Sequence, residues 1–474
     1  MGQWTGARGR LAGLALTVAV AIGAAAPERA GAQTLAEALS EAYVNSGLLE
    51  QNRALLRAAD EDVAQAVAGL RPVLNWSTSI RRQFGERRGP TGVVGNFVTE
   101  QASAGVNLEW LLYDSGRSQF QREAAKESVL ATREGLVSIE QQVLLGAVQA
   151  FMNLRRATDT VSLRENNVRV IRRQLRAARD RFEVGEVTRT DVAQAEAALS
   201  AARANLARAE GELEQARETY ARDVGSEPGT LAEPGDVPRS VGSADEAQAR
   251  AVREHPDLRQ AQREITVNEL GVAAARAGMR PRVTLQGGYN VTSDFDEDES
   301  LGTGEISLQA GGPIYRGGEL SSLVRQAQAR RDAARGNLHV VRKRLAQEAG
   351  AAWSRLEVAR AAREASRRQI EAAEVAFEGV QEEARLGART TLDVLEAEQN
   401  LLDARTDLVS ATTDEYIAAY ALFAATGRMT AQDLGLSVPR YDPAEYYNLV
   451  KTAPVPQSAQ GRALDRVLES IGAE

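Results

Sequence analysis

The 474-residue chain contains no cysteine and few aromatic residues. Without cysteine, disulfides, thiolate metal sites, cysteine nucleophiles and a lipidated N-terminal cysteine are all excluded. Aromatic residues make up only 5% of the chain, while 26% of its residues are charged. This composition has few aromatic residues for a conventional globular core and is typical of long, alanine-rich paired helices. The net charge of -8 gives no reason to expect a nucleic acid as a partner.

Residues with catalytic chemistry are equally scarce. The only two histidines, His255 and His339, lie near no motif for a nucleophile or a metal. The sequence also has no phosphate-binding loop and no dinucleotide fingerprint. It therefore predicts no catalytic residue, no metal and no cofactor, and we do not expect an enzyme.

Long apolar runs are missing from the chain after its N-terminus. Residues 11–26 are apolar and follow Arg8 and Arg10, but they fall short of the roughly 20 residues that a spanning helix needs. A small-residue cleavage site, Ala-Gly-Ala, ends at Ala32. Residues 1–32 are therefore predicted to be a signal peptide, and the protein is expected to be exported. The mature chain then either is soluble beyond the inner membrane or crosses a membrane as strands.

Proline is absent from two very long stretches, between Pro90 and Pro228 and between Pro313 and Pro439. A helix from Ser118 to Phe182 alone would be roughly 100 Å long. Small and apolar residues then follow a 3-4 spacing, which predicts a coiled-coil seam with close helix approach. The first seam comprises Val192, Ala195, Leu199, Ala202, Leu206, Ala209, Leu213, Ala216 and Tyr220. The second comprises Val394, Ala397, Leu401, Ala404, Leu408, Ala411, then Glu415 out of pattern, Ala418 and Leu422.

The chain repeats itself. RFEVGEVTRTDVAQAEAAL at residues 181–199 matches EARLGARTTLDVLEAEQNL at residues 383–401, and AGLRP at 68–72 matches AGMRP at 277–281. Each half predicts a helix, an Arg-Pro stop, a strand segment with a loop, and a long helical hairpin. We therefore expect one repeat over residues 33–240, a second over 241–438, and an irregular tail over 439–474.

Two segments, at about 73–112 and 282–312, alternate between apolar and polar residues. Leu74, Trp76, Thr78 and Ile80 alternate with Asn75, Ser77, Ser79 and Arg81. This period of two predicts strands with a different environment on each face, either in a soluble half-buried hairpin or in an outer-membrane barrel. Two hairpins give four strands, whereas a membrane barrel needs at least about eight. Two chains would supply eight and three would supply twelve, and the polar inward faces favour three.

The repeated motif itself lies where one long helix ends and the next begins. Gly185 and Gly387 are predicted to end the first helix of each pair, with tips near 185–191 and 387–393. Thr188 and Asp191, like their counterparts Thr390 and Asp393, have the spacing of a capping box. Capping alone would explain these residues. It does not explain the second acid, Glu396, or the basic Arg389 in the turn.

The two tip sequences, the Arg-Pro stops and the LYDSG and IYRGG segments resemble the TolC family of outer-membrane efflux proteins over nearly all of the mature chain. The resemblance implies a mixed α and β fold and a homotrimer. It implies a 12-stranded outer-membrane barrel, with four strands from each chain, above a coiled-coil periplasmic α-barrel. It also implies an exit duct for efflux or type I secretion, surrounded by outer-membrane lipid. The partners would be a periplasmic adaptor and an inner-membrane transporter of the RND or ABC class.

The same resemblance assigns roles at the tips. Asp393 and Glu396 would form an acidic gate that sets selectivity, and Arg389 would latch onto Thr190 and Asp191. Gly185 and Gly387 would contact the adaptor. Ala384 departs from the family, whose better-known members have a tyrosine there that joins the latch, so fewer bonds are expected to hold the gate shut.

Two other classes of protein share some of these features. A periplasmic adaptor also has long alanine-rich hairpins, but it should lack two matched pairs of amphipathic strands. A structural coiled-coil protein would lack a membrane barrel altogether. Only the channel is expected in the outer membrane as a trimer that dissociates on heating.

Overall fold

A computed structural model describes residues 32–90, 92–238, 241–295 and 299–470. The predicted signal peptide, residues 1–32, lies outside these ranges except for Ala32. The first repeat contains α1 (Leu35–Asn45), α2 (Gly47–Ala68), β1 (Val73–Arg88), β2 (Val94–Tyr113), α3 (Arg117–Glu183) and α4 (Arg189–Val224). The second contains α5 (Ala244–Glu254), α6 (Pro256–Ala277), β3 (Arg282–Asp294), β4 (Ser300–Gly311), α7 (Glu319–Arg385) and α8 (Thr391–Ala425). The repeats match element for element, so the predicted mixed α and β fold with two repeats is confirmed.

The four strands form one antiparallel sheet in the order β1-β2-β3-β4, which leaves β1 and β4 as its outer strands. The register places Trp76 beside Val106, and Val106 beside Tyr289. These apolar neighbours share a face, on which Trp76 is 78% exposed and Ile80 is 80% exposed. On the other face, the hydroxyls of Ser79 and Ser103 are hydrogen-bonded at 2.9 Å. The sheet therefore has one continuous apolar face and one polar face, as the alternation predicts.

The long helices pack through the predicted seams. Ala195, Leu199 and Ala202 are buried on α4, and Leu401 and Ala404 are buried on α8. Alanine at these positions lets neighbouring helix backbones come close together. None of the helices in the described part of the chain combines the length and apolarity that crossing a membrane requires.

Glu415, which interrupts the second seam, is buried between α7 and α8. Its carboxylate lies 2.7 Å from Nη1 of Arg363 and 3.8 Å from Nε of Arg360. A buried carboxylate that lost these partners would be strongly destabilising, so the two arginines offset the cost of burying Glu415 in the seam.

The largest core lies around the far ends of α4 and α8, away from the tips. Phe151 of α3 and Tyr220 of α4 are fully buried there, together with Phe423 and Met429 near the end of the second repeat. Residues of α1 such as Leu39 complete this cluster. The core therefore ties both hairpins to the short helices that precede the strands.

Helices α3 and α7 are counterparts in the repeat but differ in burial. Helix α3 packs on α4, α6 and α8, whereas α7 has no comparable contact with α4 within the described chain. As a result Val340, Val358 and Val375 of α7 are 63–71% exposed. One long face of α7 is thus left for contact with another chain.

The expectation of an irregular C-terminal tail is wrong. Two helices follow the second repeat, α9 (Pro443–Val450) and α10 (Ala459–Ser470). Asp442 caps α9 by accepting a hydrogen bond from the backbone N–H of Ala444, and a proline follows it at the first helical position. Tyr446 and Val450 are buried against Ala64 of α2. This apolar contact stabilises helical structure in the tail. The short segments flanked by proline gave no sign of it in the sequence.

Candidate functional site

Each long hairpin turns through a glycine with a left-handed backbone. Gly185 has φ = +79° and Gly387 has φ = +80°. Residues other than glycine rarely adopt this conformation, which ends a helix by redirecting the chain. The backbone N–H of Glu186 donates to the carbonyl of Arg181, and that of Ala388 donates to Glu383, closing both helix ends alike. The predicted turn residues therefore occupy two equivalent tips.

Both capping boxes predicted from the sequence are present. The backbone N–H of Asp191 donates to Oγ1 of Thr188 at 3.3 Å, and the carboxylate of Asp191 accepts from the N–H of Thr188 at 2.8 Å. Asp393 and Thr390 make the same two bonds, at 3.2 and 2.8 Å respectively. Each acid is thus fixed at the positive end of a helix.

Hydrogen bonding favours the ionised form of these two capping acids. Bonds from the backbone N–H and the hydroxyl of Thr390 lower the pKa of Asp393. Bonds from the hydroxyl and the backbone N–H of Thr188 lower the pKa of Asp191. Hydrogen bonds to a carboxylate favour its charged form. Both side chains therefore carry a full negative charge at neutral pH.

Asp393 and Glu396 lie on one face of α8. They are three residues apart in the first turns of the helix, so their side chains project in similar directions. Both cap bonds of Asp393 use Oδ2, and the side chain of Glu396 is exposed. The tip therefore presents two carboxylates per chain to its surroundings.

The structure pairs Arg389 with a residue that the sequence analysis missed. Nε of Arg389 donates to Oε2 of Glu383 at 2.7 Å across the turn. Within the described chain Arg389 makes no hydrogen bond to Thr190 or Asp191, so the predicted latch is not assembled here. The sequence contained a sign of this pair, because an acid, Glu383, lies six positions before Arg389 on the opposite side of the Gly387 turn.

A second acid that was missed lies about two turns into α8 from the tip. Glu398 is buried, and its carboxylate accepts a hydrogen bond from the side chain of Asn167 on α3 at 3.5 Å. Burial raises the pKa of this carboxyl. Its counterpart in the first repeat, Glu196, is exposed and pairs with Arg179. In the second repeat, the position that corresponds to Arg179 is occupied by Gln381. Because the second repeat has no arginine at this position, the sequence already indicated that Glu398 needs another partner.

An exposed apolar residue precedes each of the two tip glycines. Val184 precedes Gly185 and is 72% exposed, and Leu386 precedes Gly387 and is 86% exposed. Phe182, one turn earlier, is 45% exposed. Isolated exposed apolar residues are common, but a matched pair at the end of two equivalent hairpins is typical of a contact surface.

The chain matches the family model described as outer membrane efflux protein over residues 38–226 and 248–428. It is 37% identical to the outer membrane efflux protein BepC of Brucella suis over 422 residues, which cover 88% of this chain and 91% of that protein. It is 25% identical to TolC of Vibrio cholerae over 415 residues, covering 85% and 92% of the two chains.

Solved structures show the same fold. A crystal structure of CusC superposes with a TM-score of 0.73 at 21% identity and covers 84% of this chain and 92% of that one. The open state of the MtrE channel of Neisseria gonorrhoeae gives a TM-score of 0.69 at 20% identity, covering 84% and 89%. Two repeats, each with a strand hairpin and a long helical hairpin, recur in these channels. With its family model matched across both repeats, the chain belongs to the outer membrane efflux protein family, the TolC-like channels.

Proposed function

We propose that the two helical tips form the gated periplasmic entrance of this channel. Asp393 and Glu396 set its selectivity, while Arg389 together with Thr190 and Asp191 holds it closed. The observation that carries the proposal is the pair of carboxylates on one face of α8, with the ionised form of Asp393 favoured by its cap. A capping box uses only one acid, Asp393. Glu396 caps no helix, so capping does not account for it.

The channel around this gate follows from the family. Three chains, each with four strands, form a 12-stranded barrel in the outer membrane, and their helices form a second barrel in the periplasm. The assembly conducts passively and is not an enzyme; it works with a periplasmic adaptor and an inner-membrane transporter in efflux and secretion. It is therefore neither an adaptor nor a structural coiled coil.

Threefold symmetry brings three copies of each tip together. Three Asp393 and three Glu396 side chains around one axis create a strongly negative potential in a narrow passage. Rings of acidic side chains attract cations and make a pore cation-selective. The helix cap adds to this effect because it keeps Asp393 charged at lower pH than an ordinary aspartate.

Closing the gate requires Arg389 to change partners. In the chain described here its guanidinium is held by Glu383, and both side chains are about half exposed. An exposed ion pair contributes little free energy, about 0–1 kcal/mol, so the exchange costs little. Movement of the second tip toward the first would bring Arg389 to Thr190 and Asp191, giving the latched state.

The gate is tested by single-channel recording in planar bilayers. Replacing both Asp393 and Glu396 by alanine should reduce cation selectivity and abolish block by multivalent cations added from the tip side. Thr390→Ala is the matched control, since it weakens the cap by about 1 kcal/mol and leaves both acids in place. Unchanged selectivity in the double acid variant would leave Asp393 as a helix cap only.

The same recordings test the latch. Arg389→Ser should raise conductance by loosening the closed state, and Glu383→Gln should lower it by freeing Arg389 for Thr190 and Asp191. Arg385→Ser, an exposed arginine of the same turn that pairs with Glu382, should behave like the unmodified channel. If Glu383→Gln opens the channel instead, Glu383 is part of the latch and does not compete with it for Arg389.

We propose further that Gly185 and Gly387, with the apolar residues before them, contact the adaptor. Each glycine has open space where a side chain would be, so a partner can approach the backbone closely. Cysteine in place of Leu386 should cross-link to the adaptor in cells, while cysteine at the exposed Arg176, on the flank of α3, should not. Cross-linking only from Arg176 would place the adaptor on the side of the helices.

A further inference from the structure

A cavity lies between the two helical hairpins of the chain, just behind their tips. Its volume is about 540 Å³, and residues of α3, α7 and α8 line it. The buried side chains of Ala178, Ala384 and Val394 form part of its wall. Sites that bind small organic molecules usually have volumes of about 300–1,000 Å³ and mostly apolar walls. The cavity therefore has room for a ligand of that kind.

The charged residues that line this cavity are all arginines. Arg173 and Arg181 come from α3 and Arg385 comes from α7, and no aspartate or glutamate stands among the described lining residues. The two acids of the proposed gate, Asp393 and Glu396, lie outside the lining. A recess that carries one sign of charge on partly apolar walls concentrates the electric field. The ligand is therefore expected to be an anion.

The arginines are distributed over two facing walls. Helices α3 and α7 both run toward the tips, where they end before Gly185 and Gly387. Arg181 and Arg385 belong to the last turns of these helices. Arg173 lies two turns further back on α3, about 12 Å along the helix axis. The cavity thus carries positive charge on both walls at its tip end and on the α3 wall at its inner end.

Within the described chain, two of the three guanidinium groups lack an ion-pair partner. Arg385 pairs with Glu382 at 2.6 Å, whereas Arg173 and Arg181 form no ion pair there. At longer range, the charge of Arg173 opposes the rise in pKa that burial causes in Glu398. Arginine in the last turn of a helix interacts favourably with the helix end, which accounts for Arg181 and Arg385. It does not account for Arg173, so helix stability leaves the full set unexplained.

We infer that this cavity binds an organic anion with an apolar body and acidic groups that face both walls. Guanidinium groups hold carboxylates and similar anions through two parallel hydrogen bonds, which gives the α3 and α7 walls one acidic group each to bind. Phe377 of α7 is half-buried in the lining and offers an aromatic ring to the apolar body. Ala384 leaves the space that the body occupies, because a larger side chain there would extend into the cavity.

A bound anion would connect the first hairpin to the second. It contacts α3 and α7 at once, so it favours the arrangement in which the two tips lie close together. A ligand shifts a conformational equilibrium by its difference in affinity for the two states. Binding should therefore lower the conductance of the channel. This effect on conductance rests on the proposed gate, whereas binding itself does not.

The test is isothermal titration calorimetry of the purified trimer in non-ionic detergent, with naphthalene disulfonate as the probe. We expect saturable binding at one site per chain. Arg173→Gln combined with Arg181→Gln should weaken it at least tenfold, as expected for lost hydrogen bonds to a charged group. Arg172→Gln combined with Arg176→Gln removes the same charge from exposed positions of α3 outside the lining and should not change it. Equal weakening by both pairs, or no binding to the unmodified trimer, would overturn the inference.

Two further arms test the cavity and its effect. Ala384→Phe fills the cavity without changing its charge, so it should abolish binding while the trimer still dissociates on heating as the unmodified one does. Inorganic sulfate, which has no apolar body, should bind at least tenfold more weakly than naphthalene disulfonate; equal affinity would reduce the site to a basic surface. In planar bilayers the probe should lower the conductance of the unmodified channel and not that of the Arg173→Gln, Arg181→Gln variant. Binding with unchanged conductance would support the site and contradict its link to the gate.

Discussion

Replacing Asp60 by asparagine should stabilise the protein at pH 8 and leave its stability almost unchanged at pH 4. Asp60 lies on α2 and is fully buried beside Leu56, Val63 and Val129. Within the described chain neither carboxylate oxygen has a hydrogen-bond partner. Burial is the main reason that the pKa of Asp60 is raised from 3.8 to about 6, with Arg133 opposing the shift and Glu61 adding to it.

The sign and size follow from proton linkage. The folded chain binds the proton of Asp60 more tightly than the unfolded chain does, so ionisation of Asp60 costs folding free energy. That cost is absent below pH 3.8, grows as pH rises and is complete above about pH 6. A shift from 3.8 to about 6 corresponds to about 3 kcal/mol per chain. Asparagine has nearly the same shape and never ionises, so it avoids this cost.

The assay is the free energy of unfolding in detergent solution, measured from pH 4 to pH 8 for Asp60→Asn and the unmodified protein. The gain from asparagine should appear between pH 4 and pH 6 and stay constant above that range. Asp62→Asn, at an exposed position two residues along the same helix, should show no such pH dependence. If Asp60→Asn destabilises the protein at pH 8, the ionised carboxylate stabilises the fold through Arg133 and the reasoning is refuted.

Two further predictions concern the seams and the sheet. Ala202→Leu should destabilise the trimer by roughly 1–3 kcal/mol per chain because a larger side chain cannot fit the close helix contact; heat dissociation measures this, and Ala201→Leu, on the exposed face of the same helix, should have little effect. A cysteine at Ser77 should react with a membrane-impermeant thiol reagent and one at Thr78 should not, since the first faces water and the second lipid. Equal labelling of both would contradict the assignment of the faces.

Much of the fold could be predicted because its periodicities are long and simple. The 3-4 spacing runs through nine consecutive seam positions of α4, seven of which are alanine or leucine, and the alternation in β1 separates two environments. The contacts of the charged residues could not be predicted in this way. The pairing of Arg389 with Glu383 depends on the path of the chain around Gly387, and the burial of Asp60 depends on α3 and the C-terminal segment packing over α2.

The C-terminal helices were missed for a related reason. Residues 443–450 form a helix of only eight residues, which is too short to be stable without tertiary contacts. Its stability comes from the packing of Tyr446 and Val450 on α2, a contact between segments almost 400 residues apart in the sequence. Local pattern cannot reveal a contact of that kind.

The two capped tips have a mechanical consequence. Each glycine turn and its capping box hold the end of a hairpin as one stiff unit, so the proposed gate would open without any helix unwinding there. Helix α4 has 36 residues and is about 54 Å long, and its far end lies beside the core around Tyr220. At this length a tilt of about 5° moves the tip by about 5 Å. In the proposed gate the hairpins would act as levers, so that a small rotation at the core, made by three chains at once, would change the width of the entrance by several ångströms at each tip.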